Sequence, residues 1–214
     1  MIKVQGALPR NLVVAVSGGA DSMAVLHFLS KNHNVSAVFC DHNTKDSRES
    51  YKIVRKFVTD NNITLLQTTI NQFRAKKARE SQEEYWRNYR YYVFRNHVAV
   101  WRPNEPIITA HHLNDCVETW IWSALHGNGK LIPYRNNSVI RPFRLNKKRD
   151  LEMWCHLNGI EYYKDESNDD TKYMRNYIRH ELMPHALKVN PGLEKVIRKK
   201  IARSSLSEMS NEKY

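Results

Sequence analysis

Ser17-Gly18-Gly19-Ala20-Asp21-Ser22 gathers two glycines, two hydroxyls and one carboxylate in six residues. The apolar run Leu12-Val13-Val14-Ala15-Val16 precedes it, and Met23, Leu26 and Leu29 follow at helical spacing. A glycine turn at a helix N-terminus presents backbone N–H groups that together bind an anion. Without Cβ atoms in the way, a phosphate approaches the backbone closely. No Lys follows, so the lysine that grips β- and γ-phosphates in kinase-like P-loops is missing. The plain alternative is a tight strand–helix turn.

A second constellation is Thr109-Ala110-His111-His112-Leu113-Asn114-Asp115-Cys116-Val117-Glu118-Thr119. If a helix starts near His112, Asp115 and Glu118 share a face in its first turns. Two carboxylates there suit Mg²⁺, or suit binding and deprotonating an amine. Helix capping by Asn114 or Asp115 is the structural alternative. The segment follows a predicted strand, and ligands gather at the carboxyl ends of strands in open parallel sheets.

Arginines supply a third set. Arg87 and Arg90 in Trp86-Arg87-Asn88-Tyr89-Arg90-Tyr91 are three apart, and Arg175 and Arg179 are four apart, so each pair shares a helix face. Guanidinium groups suit phosphates and stack on bases. Arg141 stands in Arg141-Pro142-Phe143. The acidic run Asp165 to Asp170 reads as a helix cap paired with Arg175. A further basic stretch, Arg74-Ala75-Lys76-Lys77-Ala78-Arg79, precedes the Trp86 segment.

The elements that must position these residues alternate. Strands are predicted at 12–16, 35–40, 63–66 and 106–109, with helices after the first, between 47 and 61, from 82 to about 98 and from 112 to 125. Such alternation predicts an α/β fold, a Rossmann-like parallel sheet with helices on both faces. After about Gly127 the pattern changes to a short extended piece at 140–143 and helices near 148–157, 171–183 and 192–203, with Pro184 ending the second of these. The expected organisation is an α/β domain over 1–130 that carries both motifs, a mainly helical extension over 131–203 packed on it, and a polar, frayed tail over 204–214.

The net charge is +12, from 34 Lys and Arg against 22 Asp and Glu, which favours a polyanionic partner such as nucleic acid. With 214 residues, 41% hydrophobic, the chain is long enough to build a core without disulfides. No apolar run approaches the roughly 20 residues of a membrane span, and the N-terminus lacks a signal-peptide layout. A cytoplasmic protein with no membrane partner is expected. Cys40, Cys116 and Cys155 are widely spaced with no CxxC pair, against a zinc knuckle or disulfide framework.

The phosphate loop, the WRNYRY segment, TAHHLNDCVET, and DESN followed by RNYIR occur in one order. From about Asn11 to Pro184 the chain resembles the catalytic domain of the tRNA(Ile)-lysidine synthetases, a family of PP-loop ATP pyrophosphatases. The resemblance implies ATP as co-substrate with Mg²⁺, free lysine, and tRNA(Ile) with a CAU anticodon as partner; dimers occur in the family. It implies adenylation of the C2 oxygen of the wobble cytosine with release of pyrophosphate, then attack by the lysine ε-amine with loss of AMP. Carried over, Ser17, Gly18, Gly19, Ala20, Asp21 and Ser22 would hold ATP, Asp21 through Mg²⁺. Arg87 would meet ATP or developing phosphate charge, and His111 would orient the site. Asp115 and Glu118 would bind the lysine amine, with Asp115 removing its proton. Arg90, Arg141, Arg175, Asn176 and Arg179 would contact tRNA or ATP.

Departures from the family pattern are equally specific. Asn114-Asp115 stands for the acidic pair of HHxxDD, Trp86 for an Ala, and Cys40-Asp41-His42-Asn43 for a His-His-Gly run. Many members carry further C-terminal domains that help select tRNA. Two rivals remain: a tRNA thiolase of the same superfamily, which the cysteine spacing disfavours, and a non-catalytic RNA-binding relative, which retention of Asp21, Asp115 and Glu118 disfavours.

Overall fold

The first apolar run forms β1, Asn11–Val16, with Leu12, Val13 and Val14 fully buried. Burial on both sides is what a central parallel strand demands, hence a continuous apolar run. The computed structural model describes residues 1–164 and 171–210. A loop leads from β1 into α1, Ala20–Ser30. β2 (Asn34–Asp41), α2 (Lys45–Asp60) and β3 (Thr64–Thr69) follow, then a 3-10 turn at Ile70–Gln72. α3 (Gln82–Val93) continues through a π-helical stretch, Phe94–Val98, into α4 (Ala99–Trp101). β4 (Ile107–Ile108) precedes α5 (Leu113–Leu125). β5 (Arg135–Asn136), β6 (Val139–Ile140) and α6 (Lys148–Leu157) come next. The last run comprises α7 (Met174–Tyr177), a π-helical stretch Ile178–Leu182, α8 (Met183–Val189) and α9 (Leu193–Ser210).

The six strands lie in the order β3-β2-β1-β4-β6-β5. All pairs are parallel except β5 with β6. Alternate residues serve opposite faces. Leu12, Val14, Val16, Ala37 and Phe39 pack on Met23 and Leu26 of α1, Val54 of α2, and Leu151 and Cys155 of α6. Val13, Val38, Ile107 and Val139 pack on Tyr89, Val93, Phe94 and Val98. Helices thus cover both faces, as the alternating pattern predicts. A third cluster joins Leu113, Val117 and Ile121 of α5 to Ile178 and to Leu193, Ile197 and Ile201 of α9.

The chain runs outward from β1 to β3 and then returns to β4 on the other side of β1. That reversal opens a crevice at the carboxyl ends of β1 and β4. Both motifs hang from those ends. The start of α2 is tied down beside them. Thr44 Oγ1 accepts from Ser47 N at 3.0 Å and Ser47 Oγ accepts from Thr44 N at 3.1 Å. Such a cap is worth about 1 kcal/mol. Ser47 Oγ also donates to Asp41 Oδ1 at 2.5 Å, linking α2 to the end of β2.

Several expectations change. The mainly helical extension after 130 also carries two short strands, β5 and β6, which extend the sheet beyond β4. It also holds the chain's beginning. Lys3 N donates to Asn146 Oδ1 and Asn146 Nδ2 to Lys3 O, both at 2.7 Å, and Gln5 N donates to Pro142 O at 2.9 Å. Pro184 does not end a helix. The helix runs on through it, because the π-helical stretch Ile178–Leu182 just before it widens the turn that must accommodate a residue without an N–H. The polar tail expected from 204 is helical to Ser210, because packing of Leu193, Ile197 and Ile201 nucleates α9 and elongation needs little more. The acidic run 165–170 lies outside the described residues. Among those described, no helix is long and apolar enough to cross a membrane.

Candidate active site

The loop after β1 is built from its own hydroxyls. Ser22 Oγ donates to Gly19 O at 3.0 Å, accepts from Ser17 N at 3.1 Å and lies 3.2 Å from Ser17 Oγ. Gly18 turns the chain at φ +82°. A Cβ there would stand 2.7 Å from Ser50 Cβ of α2, so the glycine also permits close helix packing. Tyr163, which the sequence reading passed over, braces the same turn. Its N–H donates to Gly18 O at 2.8 Å and its hydroxyl to Asp46 Oδ1 at 2.7 Å. Gly19 caps α1 with no side chain on the first-turn N–H groups. Those donors and the helix dipole together form an anion cradle.

Asp21, in that first turn, has Oδ1 buried with no hydrogen-bond partner. Its Oδ2 lies 3.5 Å from His112 Nε2. His112 is the N-cap of α5, a role the sequence reading gave to Asn114 or Asp115. Asp115 Oδ2 accepts from His112 N at 2.9 Å, and His112 Nδ1 accepts from Asp115 N at 3.3 Å. His112 Nδ1 is also 3.5 Å from Asp115 Oδ2. The ring therefore has partners in both states. Neutral, it donates to Asp21 and caps Asp115 N; charged, it lies between two carboxylates. Burial opposes its charge, but Asp115 and Asp21 outweigh that and raise its pKa above the ordinary value. Adjacent His111 is the opposite case. Burial pushes its pKa down to about 3, and its Nδ1 bonds Thr109 Oγ1 at 2.9 Å.

Asp115 and Glu118 do share a face of α5, and both are buried. They are met by arginines from about 60 residues further along. Arg175 Nη2 donates to Asp115 Oδ1 at 2.7 Å and Arg175 Nε to Glu118 Oε2 at 3.1 Å. Arg179 Nε donates to Glu118 Oε1 at 2.7 Å and its Nη2 to Oε2 at 3.2 Å. Burial alone would raise the Asp115 pKa, yet His112 and Arg175 hold it well below the usual carboxylate range. Arg175 and Arg179 thus serve as counter-ions to the carboxylates in this structure, where the sequence reading turned them toward tRNA or ATP.

The other expected residues divide. Asn114 Oδ1 accepts from Lys148 N at 3.0 Å, so the position that departs from HHxxDD holds the start of α6. Arg141 is buried, with Nη1 on Pro133 O at 2.9 Å and Nη2 on Tyr91 Oη at 2.8 Å. That geometry leaves it no surface for RNA. Asn176 is buried in α7. Arg87 and Arg90 are exposed on α3, Arg87 with its guanidinium 5.2 Å from the Tyr91 ring centroid.

Beside the carboxylates lies a mainly apolar cavity of about 290 Å³, lined by Glu83, Glu118, Thr119, Trp122, Met174, Arg175 and Ile178. Glu83 and Trp122 carry no motif and could not be read from sequence. A larger polar hollow of about 450 Å³, among Asn11, Asn34, Asn61 and Arg102, lies at the amino edge of the sheet, away from both motifs. Among the described residues no three His, Cys, Asp or Glu side chains are grouped to hold a metal by themselves.

The chain matches known proteins in fold and in sequence. A tRNA(Ile)-lysidine synthase from Thermosipho africanus is 34% identical over 200 residues, covering 87% of this chain and 46% of that protein. One from Thermotoga sp. (strain RQ2) is 32% identical, covering 87% and 48%. The chain spans about half the length of these curated relatives. Among solved structures, the U34-tRNA thiolase NcsA from Methanococcus maripaludis superposes with a TM-score of 0.72 at 13% identity, covering 93% of this chain and 73% of that one. The NH3-dependent NAD synthetase from Campylobacter jejuni gives 0.52 at 12% identity, covering 94% and 87%. These structural likenesses speak for the fold alone. With residues 3–186 matching the profile of the PP-loop domain, the chain belongs to the PP-loop domain family.

Proposed function

We propose that this chain joins lysine to the wobble cytidine of tRNA(Ile) bearing a CAU anticodon, at the expense of ATP. One observation carries the reading. The anion cradle on α1 and the buried carboxylate pair on α5 face one crevice and are joined through His112. The named relatives and the shared blocks support the same assignment.

ATP phosphates would sit on the first-turn N–H groups of α1, beside the Ser17 hydroxyl that Ser22 holds in place. The unpartnered Oδ1 of Asp21 fits one position of a Mg²⁺ shell, the rest coming from phosphates and water. That ion would supply charge neutralisation on the phosphates. The cytosine C2 oxygen attacks the α-phosphorus and pyrophosphate departs. The lysine amine then attacks C2, and AMP leaves with the oxygen.

A lysine ammonium has a reference pKa of about 10.4 and must lose a proton first. Asp115 is a poor base, given how far its pKa is depressed. Its better part, with Glu118, is to anchor the amine. Arg175 and Arg179 crowd the site with positive charge. Like charge lowers the amine's pKa and favours its neutral, nucleophilic form, the proton passing to water. To admit the amine, the arginines must give up part of their hold on Glu118. The thiolase alternative is weaker. Burial pushes the Cys40 thiol up to about 11 and the Cys116 and Cys155 thiols up to about 12, away from reactive thiolates.

The test is incorporation of labelled lysine into a tRNA(Ile) transcript with ATP and Mg²⁺, beside a transcript altered at the wobble base. Label confined to the intact anticodon is the expected result. ATP turnover without lysine transfer would defeat the assignment.

A further inference from the structure

The basic stretch 74–79 has no part in the chemistry above, yet it is held more firmly than a solvated loop needs to be. It leaves the carboxyl end of β3, through the turn at Ile70–Gln72, and feeds directly into α3. Its hub is Glu80, a carboxylate only 8% exposed. Arg74 grips it through both ends, Nη1 to Oε2 at 2.9 Å and Nη2 to Oε1 at 2.6 Å. Asn88 Nδ2 donates to Oε1 at 2.6 Å and Lys77 N to Oε2 at 3.1 Å. Lys76 Nζ closes the loop onto Glu80 O at 2.8 Å. Arg74 in turn lies 5.1 Å from the Phe73 ring centroid and 5.7 Å from that of Tyr85, whose hydroxyl bonds Arg74 O at 2.8 Å.

What this frame displays is charge. Lys77 and Arg79 are exposed, and neither side chain has a partner among the described residues. Fixing unpaired cations in one arrangement is unfavourable by itself and favourable toward a polyanion, because the ordering precedes binding. The loop stands on the carboxyl edge of the sheet. Glu83, in the first turn of the helix it feeds, lines the cavity beside Glu118.

We infer that the 74–80 loop is a pre-organised clamp for the sugar–phosphate backbone of the RNA substrate, with Lys77 and Arg79 as its contacts and Glu80 as the residue that positions them. The inference takes the RNA partner from the proposed function, but not the lysine chemistry.

The test is binding of a fluorescent tRNA(Ile) transcript to the full chain by anisotropy across a range of KCl concentrations, without ATP or lysine. Lys77→Ala with Arg79→Ala should weaken binding by about tenfold per cation near 0.1 M salt, and lower the salt slope by about 0.7–0.9 per contact. Glu80→Gln gives the sharper result. It makes the chain more positive by one charge, so diffuse attraction would strengthen binding. The clamp requires the reverse, a loss of about fivefold with the salt slope kept. Asn88→Ala removes one Glu80 bond without changing charge and should lose less; it serves if Glu80→Gln melts early. Unchanged affinity in the Lys77, Arg79 double variant, or tighter binding by folded Glu80→Gln, overturns the inference. Wild-type RNA binding without lysine transfer would sink the proposed activity and leave the clamp standing. No RNA binding by the wild type defeats both.

Discussion

The two glycines of the loop after β1 are adjacent but answer to different constraints, and Ala substitution separates them. At Gly18, φ is +82°, and an added Cβ would lie 2.7 Å from Ser50 Cβ and 2.9 Å from Ser50 O. The left-handed conformation costs an alanine about 1–2 kcal/mol. Pushing α2 away from the loop adds about 1–3 kcal/mol, since backbone and a buried side chain must both give. Gly18→Ala should therefore lose about 2–5 kcal/mol, a large share of the 5–15 kcal/mol typical of a domain. At Gly19 the backbone is ordinary, with φ −75°, and the nearest atom to an added Cβ is Ser17 Oγ at 3.6 Å. Gly19→Ala should cost less than about 1 kcal/mol, the scale of a cap change. Its new methyl would instead crowd the anion cradle, so ATP affinity should drop by about tenfold or more. Urea unfolding followed by tryptophan fluorescence reads the first quantity, and calorimetric titration with ATP and Mg²⁺ the second. The reasoning fails if Gly18→Ala unfolds within about 1 kcal/mol of wild type, or if folded Gly19→Ala binds ATP unchanged.

Other perturbations probe the charge cluster. A double-mutant cycle of Glu118→Gln and Arg179→Ala should give a coupling of about 1–3 kcal/mol; a value below about 0.5 would mean the pair is slack. By NMR titration, His42 and His111 should stay neutral down to about 4 and about 3, while His112 titrates above its ordinary value. The unfolded chain takes up those protons near pH 6.5. Stability should thus fall as pH drops from about 6.5, where the unfolded state alone protonates at His42 and His111. The contribution of His112 runs the other way, present below about 6.5 and lost as pH rises through its folded pKa. Normal titration of all three would refute the burial argument. Cys40, Cys116 and Cys155 should react sluggishly with a disulfide reagent near pH 8 until the chain unfolds, and a fast native thiol would contradict their raised pKa values.

What was legible in the sequence was local. The turn at 17–22 and the helix start at 112 are governed by neighbours within a few residues, so glycine, hydroxyl and acid spacing locate them. α6 could be bounded at Lys148–Leu157 for the same reason. The ion pairs of Asp115 and Glu118 with Arg175 and Arg179 are not local, and no spacing rule chooses carboxylate over phosphate for an arginine. His112 carried a signal, a second histidine beside the first, but its capping role depends on where α5 begins. β5 and β6 are two residues each, too short for periodicity to register. Pro184 misled because a π-helical turn before it lets the helix run on past a residue that ordinarily breaks one.

The threading of the sheet sets a timetable. β1, at its centre, leaves the ribosome well before its second neighbour: β4 reaches it only at Ile107 and β6 joins β4 only at Val139. The clasp of Lys3 and Gln5 against Asn146 and Pro142 closes later still. One flank of the sheet can assemble on β1 during synthesis, while the other edge stays unpaired for some 30 residues after β4. Contacts this distant in sequence slow folding and leave a strand edge open to other chains. A nascent chain paused before residue 139 would carry the phosphate loop and the α5 carboxylates without the flank that completes their sheet.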